Sequence, residues 1–315
     1  MRTGVTAIVA GATAEMTGLP AACFAFNGTG EMTGAHVIEE TGALFGPILL
    51  TGTLNVGAAR DGALLWAKET IADPEMRFSR ILPVVAETFD GRLNDAWGLH
   101  LQPQHAVEAL DAAADGPVVE GAVGGGTGMI CFGFKGGVGT ASRRVSFGGR
   151  DYAVGALAQC NFGKREELVI RGAPVGQAIT DLQPEGIELT AQDRASLIVI
   201  IATDAPFDAT GLKRLARRAA LAMGRLGGAG EATSGDIFLA FSTAARIRLA
   251  GEEPNIVPSI PPGSIDPFSF AVVQSTEEAI VNALFAGETM TGRAGATVHG
   301  LPRERAAAIV RGKSA

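Results

Sequence analysis

The sequence predicts a mixed α/β fold in which two β-sheets are stacked and helices cover their outer faces. Uninterrupted aliphatic runs such as 197–202 predict strands that are covered on both faces. Helical spacing at 61–73 and an amphipathic stretch at 209–225 predict helices that pack on those sheets. The composition agrees, since 43 glycines and only 6% aromatic residues favour closely packed aliphatic layers joined by tight turns.

The first half of the chain alternates between strand and helix patterns. Residues 1–60 predict short strands joined by glycine turns, one of them at 27–30. Further along, we expect strands at 47–51, 80–87 and 152–160, helices at 61–73 and 104–115, and a glycine-rich segment at 121–139. Pro83 places the 80–87 strand at a sheet edge or a bulge, because proline cannot donate to a ladder.

The second half begins with a surface linker predicted at 172–195, which is followed by a buried strand that starts at Ser196. Asp208 is the expected N-cap of the helix at 209–225. Further on, we expect a strand at 236–243, a helix opened by a capping box at 275–278, and a short helix within 300–315.

Composition and charge exclude several classes of function. The 315 residues are 47% apolar and 19% charged, as in globular proteins, and the net charge of −7 argues against nucleic-acid or anionic-membrane surfaces. Three separated cysteines without a CxxC pair, and no apparent secretory signal, predict a cytoplasmic protein. Four histidines without ligand spacing predict no metal site.

Several segments together resemble one known family. The run from Ala195 to Pro206 resembles the start of the small subunit in the L-aminopeptidase D-amidase/D-esterase (DmpA-like) and β-aminopeptidase family. The resemblance continues, in the same order and over nearly the whole chain, at 28–34, 39–42, 51–57, 124–137, 159–163, 234–243 and 276–279. It implies a self-processing N-terminal-nucleophile hydrolase with a four-layer α/β/β/α sandwich and no cofactor.

The resemblance also implies where the chain is cut. Autoproteolysis between Ala195 and Ser196 would divide one catalytic domain into a large subunit, 1–195, and a small subunit, 196–315. Ser196 would then be the nucleophile and its new α-amine the general base, since an α-amine has a pKa of about 7.7–8.0. Ala195 departs from the glycine or asparagine common before the cut in this family, so we expect slower self-cleavage.

Other residues acquire roles by the same resemblance. Ser234 and Asp236 lie two apart at the start of a strand, so they face the same side and would orient the new amino terminus. Asn161 would donate to the oxyanion of the tetrahedral intermediate. Each has a plainer interpretation: Asn161 as a turn residue with positive φ, Asp236 as a solvated acid, and the segment 234–236 as a simple turn.

Three weaker candidates complete the predicted site. Glu87 would pair with the free ammonium of the substrate, although it could equally be an ordinary exposed acid. Phe89 stands where the family usually has a tyrosine or another bulky residue near the oxyanion, and without a hydroxyl it could offer only its backbone N–H. Lys135 would assist self-cleavage electrostatically.

The predicted function is an aminopeptidase or amidase that releases N-terminal residues from small peptides, amides or esters through an acyl-enzyme on Ser196. We expect a homo-oligomer, a tetramer of large and small subunit pairs, acting without nucleic acid or membrane. Two alternatives remain at this point. One is a hydrolase of non-natural oligoamides on the same scaffold, and the other is an unprocessed, inactive binding or scaffold protein, for which Ala195 and Phe89 are the best support.

Overall fold

The computed structural model describes residues 1–10, 17–70, 82–188, 196–248 and 251–312. Its strands are β1 (Val5–Ile8), β2 (Thr17–Gly28), β3 (Ala43–Leu44), β4 (Ile48–Gly52), β5 (Val84–Thr88), β6 (Ile130–Cys131), β7 (Phe134–Lys135), β8 (Gly137–Phe147), β9 (Arg150–Cys160), β10 (Ser196–Thr203), β11 (Gly235–Ser242), β12 (Ile247–Arg248), β13 (Met290–Thr291) and β14 (Thr297–Val298). Its α-helices are α1 (Ala35–Thr41), α2 (Val56–Thr70), α3 (Pro103–Asp111), α4 (Val175–Ala178), α5 (Ala209–Ala216), α6 (Ala219–Arg225), α7 (Asp266–Ala286) and α8 (Arg303–Val310).

The larger sheet has the strand order β12-β2-β11-β10-β9-β8, and β3 pairs with β2. Within it, β10 runs parallel to β11 and antiparallel to β9. The aliphatic run of β10 is buried from its first residue because helices cover one face of this sheet and a second sheet covers the other. The predicted central strand is therefore confirmed.

The second sheet has the order β1-β4-β5 and stacks on the larger one. Between the sheets, Leu50 and Ala86 pack with Ile198 and Leu239. On its outer face the small sheet carries α2 and α3, while α5, α6 and α7 cover the outer face of the larger sheet. These layers form an α/β/β/α sandwich, so the fold predicted from the sequence is confirmed.

Several local predictions are confirmed. The strand β5 is an edge strand that begins directly after Pro83, in agreement with the missing proline donor. Asp208 caps α5 by accepting a 2.8 Å hydrogen bond from the backbone N–H of Gly211. The expected helix at 209–225 is divided into α5 and α6 at Arg217 and Arg218.

The predicted capping box at 275–278 is wrong. Ser275 lies in the middle of α7, which begins at Asp266 with Pro267 in its first turn. The Ser275 side chain is buried and its hydroxyl donates to the carbonyl of Val272 at 3.3 Å. A serine followed three residues later by glutamate resembles a helix start only when the preceding residues are not themselves helical.

The predicted surface linker at 172–195 is only partly described. Residues 172–188 include the short helix α4, and the side chains of Val175 and Ile179 are buried, so this part is more ordered than the sequence suggested. Residues 189–195, including Ala195, lie outside the described residues. In the described part of the chain, no helix has both the length and the apolar character needed to cross a membrane.

Candidate active site

Ser196 is the first residue of β10 and is buried between two neighbouring strands. Its backbone N–H donates to the carbonyl of Asn161 at 2.9 Å, and the N–H of Asn161 donates back to the Ser196 carbonyl at 3.1 Å. On its other side, Ser196 is opposite Gly235 in the parallel ladder with β11. The candidate nucleophile thus lies where β9 ends and both β10 and β11 begin.

The side chain of Asn161 is held in one orientation. Its Oδ1 accepts a hydrogen bond of 2.9 Å from the backbone N–H of Ile130. Because the amide oxygen is used in this way, the Nδ2 donors point away from Ile130. The positive φ in this segment, 83°, belongs to Gly163 and not to Asn161, so the interpretation of Asn161 as a positive-φ turn residue is wrong.

A small hairpin formed by β6 and β7 supports this amide. Its two-residue turn has positive φ at Phe132 (49°) and Gly133 (68°), as tight hairpin turns with both central residues in the left-handed region do. Gly133 meets this requirement easily, whereas a bulky residue such as Phe132 is strained there. The hairpin brings Ile130 opposite Lys135 and presents the Ile130 N–H to Asn161.

Lys135 is fully buried in this hairpin. Its Nζ donates to the carbonyl oxygens of Gly136 at 2.8 Å, Met129 at 2.9 Å and Gly126 at 3.2 Å. Burial lowers the pKa of Lys135 to about 7. The three carbonyl oxygens oppose this, because they match the three N–H donors of the charged ammonium.

Asp236 is buried, which contradicts the interpretation of it as a solvated acid. Its Oδ2 accepts a 3.0 Å hydrogen bond from Nδ2 of Asn27. Oδ1 has no well-formed hydrogen bond within the part of the chain that the structure describes. Burial raises the pKa of Asp236, whereas the nearby Ser234 hydroxyl, the Asn27 amide and the Leu197 N–H lower it.

Ser234 directly precedes β11 and is also buried. It lines the same small cavity as Asp236 and Glu231, so the spacing of two places Ser234 and Asp236 on one side, as expected. Its backbone N–H donates to the Glu231 carbonyl at 2.8 Å, and its own carbonyl accepts from the Thr29 N–H at 3.1 Å.

Glu87 is also buried and is not the exposed acid that the alternative reading allowed. Its Oε1 accepts a 3.0 Å hydrogen bond from the N–H of Glu31, and its Oε2 accepts from the hydroxyl of Thr53. Burial raises the pKa of this carboxyl. A Cβ added to Gly30 would lie 3.2 Å from Glu87 Oε1 and 3.0 Å from the Cα of Gly235. Gly30 therefore lies between Glu87 and Gly235, the residue opposite Ser196 in the ladder.

Phe89 is less well integrated than the other predicted residues that the structure describes. The Phe89 side chain is 37% exposed, and its ring packs so closely on Gly91 that a Cβ there would lie 2.3 Å from the ring. Ala195, on the other side of the predicted cleavage bond, lies outside the described residues.

The sequence does not indicate which groups hold the candidate residues in place. These are the side chains of Asn27 and Thr53 and the backbone N–H groups of Ile130 and Glu31. Asn27 was assigned to a simple turn because an asparagine before glycine suggests one. Backbone donors carry no residue-specific signal, so no pattern could have revealed the other two.

Among the described residues, no group of three or more histidine, cysteine or acidic side chains is arranged to hold a metal ion. The three cysteines, Cys23, Cys131 and Cys160, are free and buried. What the site offers instead is a buried serine, a fixed amide and a buried carboxylate at the start of one strand pair. Two stacked sheets with a buried serine at the head of a central strand are typical of N-terminal-nucleophile hydrolases.

Comparisons with known proteins identify the family within this class. Residues 1–298 match the model of peptidase family S58. The chain is 46% identical over 322 residues to β-peptidyl aminopeptidase BapA of Sphingosinicella xenopeptidilytica, covering 99% of this chain and 80% of that protein. The chain therefore belongs to peptidase family S58, and it is a serine-type N-terminal-nucleophile aminopeptidase.

Solved structures agree in fold. The L-aminopeptidase D-Ala-esterase/amidase of Ochrobactrum anthropi, described as a variant of the Ntn hydrolase fold, superposes with a TM-score of 0.89 at 43% identity and covers 99% of this chain and 87% of its own. A protein of Pyrococcus horikoshii OT3 superposes with a TM-score of 0.91 at 40% identity, covering 99% and 86%. The predicted resemblance is confirmed over nearly the whole chain.

Proposed function

We propose that the chain cuts itself between Ala195 and Ser196 and then uses Ser196 to release N-terminal residues from small peptides, amides and esters. The observation that carries the proposal is the position of Ser196, which is buried between Asn161 and Gly235. Asp236 directly follows Gly235 in β11. The cut would leave subunits 1–195 and 196–315.

Self-cleavage begins when Ser196 Oγ attacks the carbonyl carbon of Ala195. The acyl group moves from nitrogen to oxygen, so the amide becomes an ester and the Ser196 nitrogen becomes a free amine. Water then hydrolyses the ester, which leaves a carboxylate on Ala195 and restores the hydroxyl of Ser196. One cut thereby creates the base and frees the nucleophile.

The new terminus has donors that the precursor lacks. In the intact chain the single N–H of Ser196 is used by the Asn161 carbonyl. A terminal ammonium has three N–H donors, and the buried Oδ1 of Asp236 has no well-formed hydrogen bond among the described residues, so it can accept one of them. Ser234 and Asp236 would therefore orient the amine, and the carboxylate would stabilise its protonated form.

In each turnover the α-amine removes the proton from Ser196 Oγ as this oxygen attacks the substrate carbonyl. Asn161 Nδ2 donates to the oxyanion, since Oδ1 is already occupied by the Ile130 N–H. The amine then passes its proton to the departing amine or alcohol, and the acyl-enzyme forms. Water hydrolyses that ester with the same base, and the acid product leaves.

In its protonated form, Lys135 would assist both reactions through one peptide group. Its ammonium donates to the carbonyl of Met129, and the N–H of the same peptide, on Ile130, donates to Asn161 Oδ1. A cation at one end of a peptide strengthens donation at the other, because hydrogen bonds in a chain polarise one another. This route supports the proposed role of Lys135 in processing.

Glu87 would bind the ammonium group of the substrate. A buried carboxylate held by two donors has a fixed position, and pairing with a cation offsets the penalty of keeping its charge. Phe89, at the end of the same strand, would contribute its backbone N–H. We extend the substrates to N-terminal β-residues, because the relative with 46% identity is named a β-peptidyl aminopeptidase.

The working form would be a cytoplasmic tetramer of large and small subunit pairs that needs neither a nucleic acid nor a membrane. Free, buried cysteines and a net charge of −7 support this environment. The alternative of an inactive, unprocessed scaffold is less well supported, since it gives no reason for burying Asp236 and Glu87.

The test compares the wild-type chain with Ser196→Ala and with Ser264→Ala, a control serine outside the site. We expect two fragments that meet between residues 195 and 196 in the intact-mass spectrum of wild type and control, and one chain for Ser196→Ala. Aminoacyl p-nitroanilides with α- and β-residues should be hydrolysed only by the cleaved forms, and N-acetylated versions should not. Cleavage of Ser196→Ala into the same fragments would refute the proposal.

A further inference from the structure

The strand β2 contains an irregularity next to Asp236. In its antiparallel ladder with β11, Ile237 is opposite Ala25, whereas the preceding residue, Asp236, is opposite Asn27. Phe26 therefore has no partner in the ladder and forms a β-bulge. Without the bulge the regular register would place Phe26 opposite Asp236.

Because of the bulge, the residue opposite Asp236 is Asn27 and not Phe26. Phe26 is turned outward, where it is 44% exposed and packs on Gly230, since a Cβ at Gly230 would lie 2.3 Å from its ring. The amide of Asn27 then reaches inward, and its Nδ2 donates to Asp236 Oδ2 at 3.0 Å and to the Glu231 carbonyl at 3.2 Å.

The hydrogen bond from Asn27 makes the two carboxylate oxygens of Asp236 different. Oδ2 is occupied by Asn27, and Oδ1 is buried without a well-formed hydrogen bond in the described part of the chain. Two donors on one amide nitrogen join the carboxylate to the loop that precedes β11, so rotation of the carboxylate would break the contact. Oδ1, the oxygen that Asn27 does not contact, is therefore fixed in place before the α-amine is formed.

We propose that Asn27 is a positioning residue, which the bulge in β2 brings to Asp236 so that Oδ1 is reserved for the α-amine of Ser196. The inference rests on the proposed function, in which Asp236 receives that amine. Asn27 does not touch the reacting atoms and acts through Asp236.

Asn27 also affects the charge on Asp236. A hydrogen bond to the carboxylate favours its ionised form and so lowers its pKa, in opposition to burial. In the described part of the chain, the charge that acts on Asp236 is that of Glu231, which raises its pKa and is itself paired with the ammonium of Lys164. Lys164 is also paired with Glu167. Removing the Asn27 donor should raise the pKa of Asp236 and shift the acid side of the activity profile to higher pH.

The experiment uses the full chain with the single changes Asn27→Ala, Asn27→Asp and Asp236→Asn and the double change Asn27→Ala/Asp236→Asn. Thr29→Ala is the matched control, because Thr29 contacts the same loop through the Ala232 carbonyl at 3.5 Å but not Asp236. Thermal unfolding is recorded for each protein. The rate of appearance of the two fragments, and kcat and KM for a β-aminoacyl p-nitroanilide, are measured between pH 5 and 9.

For Asn27→Ala we expect a kcat at least roughly tenfold lower with KM little changed, and an acid limb displaced upward by about one pH unit, as for loss of a hydrogen bond to a charged group. Asn27→Asp should be slower still, because it places a second carboxylate against the first. The double variant should be no slower than Asp236→Asn alone, and Thr29→Ala should match wild type.

Three results would distinguish a failure of the proposed function from a failure of the positioning role of Asn27. Full activity of Asp236→Asn would contradict the proposed function itself. A slow Asp236→Asn with Asn27→Ala unchanged in rate and pH profile would overturn only the positioning role. Rate losses that multiply in the double variant would also overturn it, since Asn27 would then act independently of Asp236.

Discussion

At the scale of single residues, the candidate site consists of buried polar side chains that are held by hydrogen bonds. Asn161, Asp236 and Glu87 are each at most 4% exposed, and each holds hydrogen bonds from backbone or side-chain donors. Burying such groups without partners would be costly. Oδ1 of Asp236, which has no well-formed hydrogen bond among the described residues, is an exception, and Asp236 lies beside the strand that begins with Ser196.

The amide of Asn161 allows a sharp test of the oxyanion donor. The change Asn161→Asp keeps an oxygen that can accept from the Ile130 N–H but removes both Nδ2 donors and adds a negative charge. We expect kcat to fall by about 10²–10³-fold or more, as when an oxyanion donor is lost elsewhere, with slower fragment formation. The measurement is steady-state hydrolysis of an aminoacyl p-nitroanilide by equal amounts of cleaved protein.

The size of the effect at Asn161 decides its role. If kcat of Asn161→Asp falls by less than about threefold and its thermal unfolding is normal, the oxyanion is stabilised by other groups.

At the scale of elements, close contacts between the large sheet and α7 fix the position of β8. Gly139 in β8 lies against the helix backbone, and a Cβ at this position would come within 1.9 Å of the Ala279 carbonyl. By contrast, a Cβ at Gly155 in the neighbouring β9 would meet nothing closer than 3.9 Å. The two glycines lie in neighbouring strands of one sheet and differ in how closely another element approaches them.

The change Gly139→Ala should therefore destabilise the protein, whereas Gly155→Ala should be tolerated. Overpacking of this kind typically costs about 1–3 kcal/mol or more, because a helix backbone cannot move aside as a side chain can. Thermal or denaturant unfolding of the Ser196→Ala chain, which stays in one piece under the proposed mechanism, gives the comparison. Equal stability of the two variants would show that α7 can shift on the sheet at little cost.

At the scale of the whole molecule, the buried cation Lys135 should make unfolding depend on pH. Burial lowers its pKa in the folded chain to about 7 from 10.5. Between these values the unfolded chain binds the proton more strongly, so the free energy of unfolding falls as pH falls from 10.5, and the contribution of Lys135 is fully lost below about 7.

The test compares Lys135→Met, which is close in size but uncharged, with the parent in the Ser196→Ala background. Loss of three buried hydrogen bonds should destabilise the variant throughout. The free energy of unfolding of the parent should rise, relative to that of the variant, by up to about 1.4 kcal/mol for each pH unit between 7 and 10. A stability difference that stays constant from pH 6 to 10 would mean that Lys135 keeps its proton throughout, held by the three carbonyls.

The sequence by itself determined the layers of this protein and the identity of its candidate catalytic residues. The aliphatic run after Ser196 is long enough to require cover on both faces, and the ordered motifs along the chain were sufficient to indicate the family. Asp208 was recognised as an N-cap because such caps depend only on neighbours a few residues away.

Only the tertiary structure decided how the site is held together. The bulge that brings Asn27 to Asp236 depends on the register between β2 and β11, which are about 200 residues apart along the chain. Likewise, the Ile130 N–H reaches Asn161 because a hairpin packs against the end of β9, and backbone groups look alike in any sequence. Ser275 was misassigned for the complementary reason, since a local capping pattern cannot report that the helix has already begun nine residues earlier at Asp266.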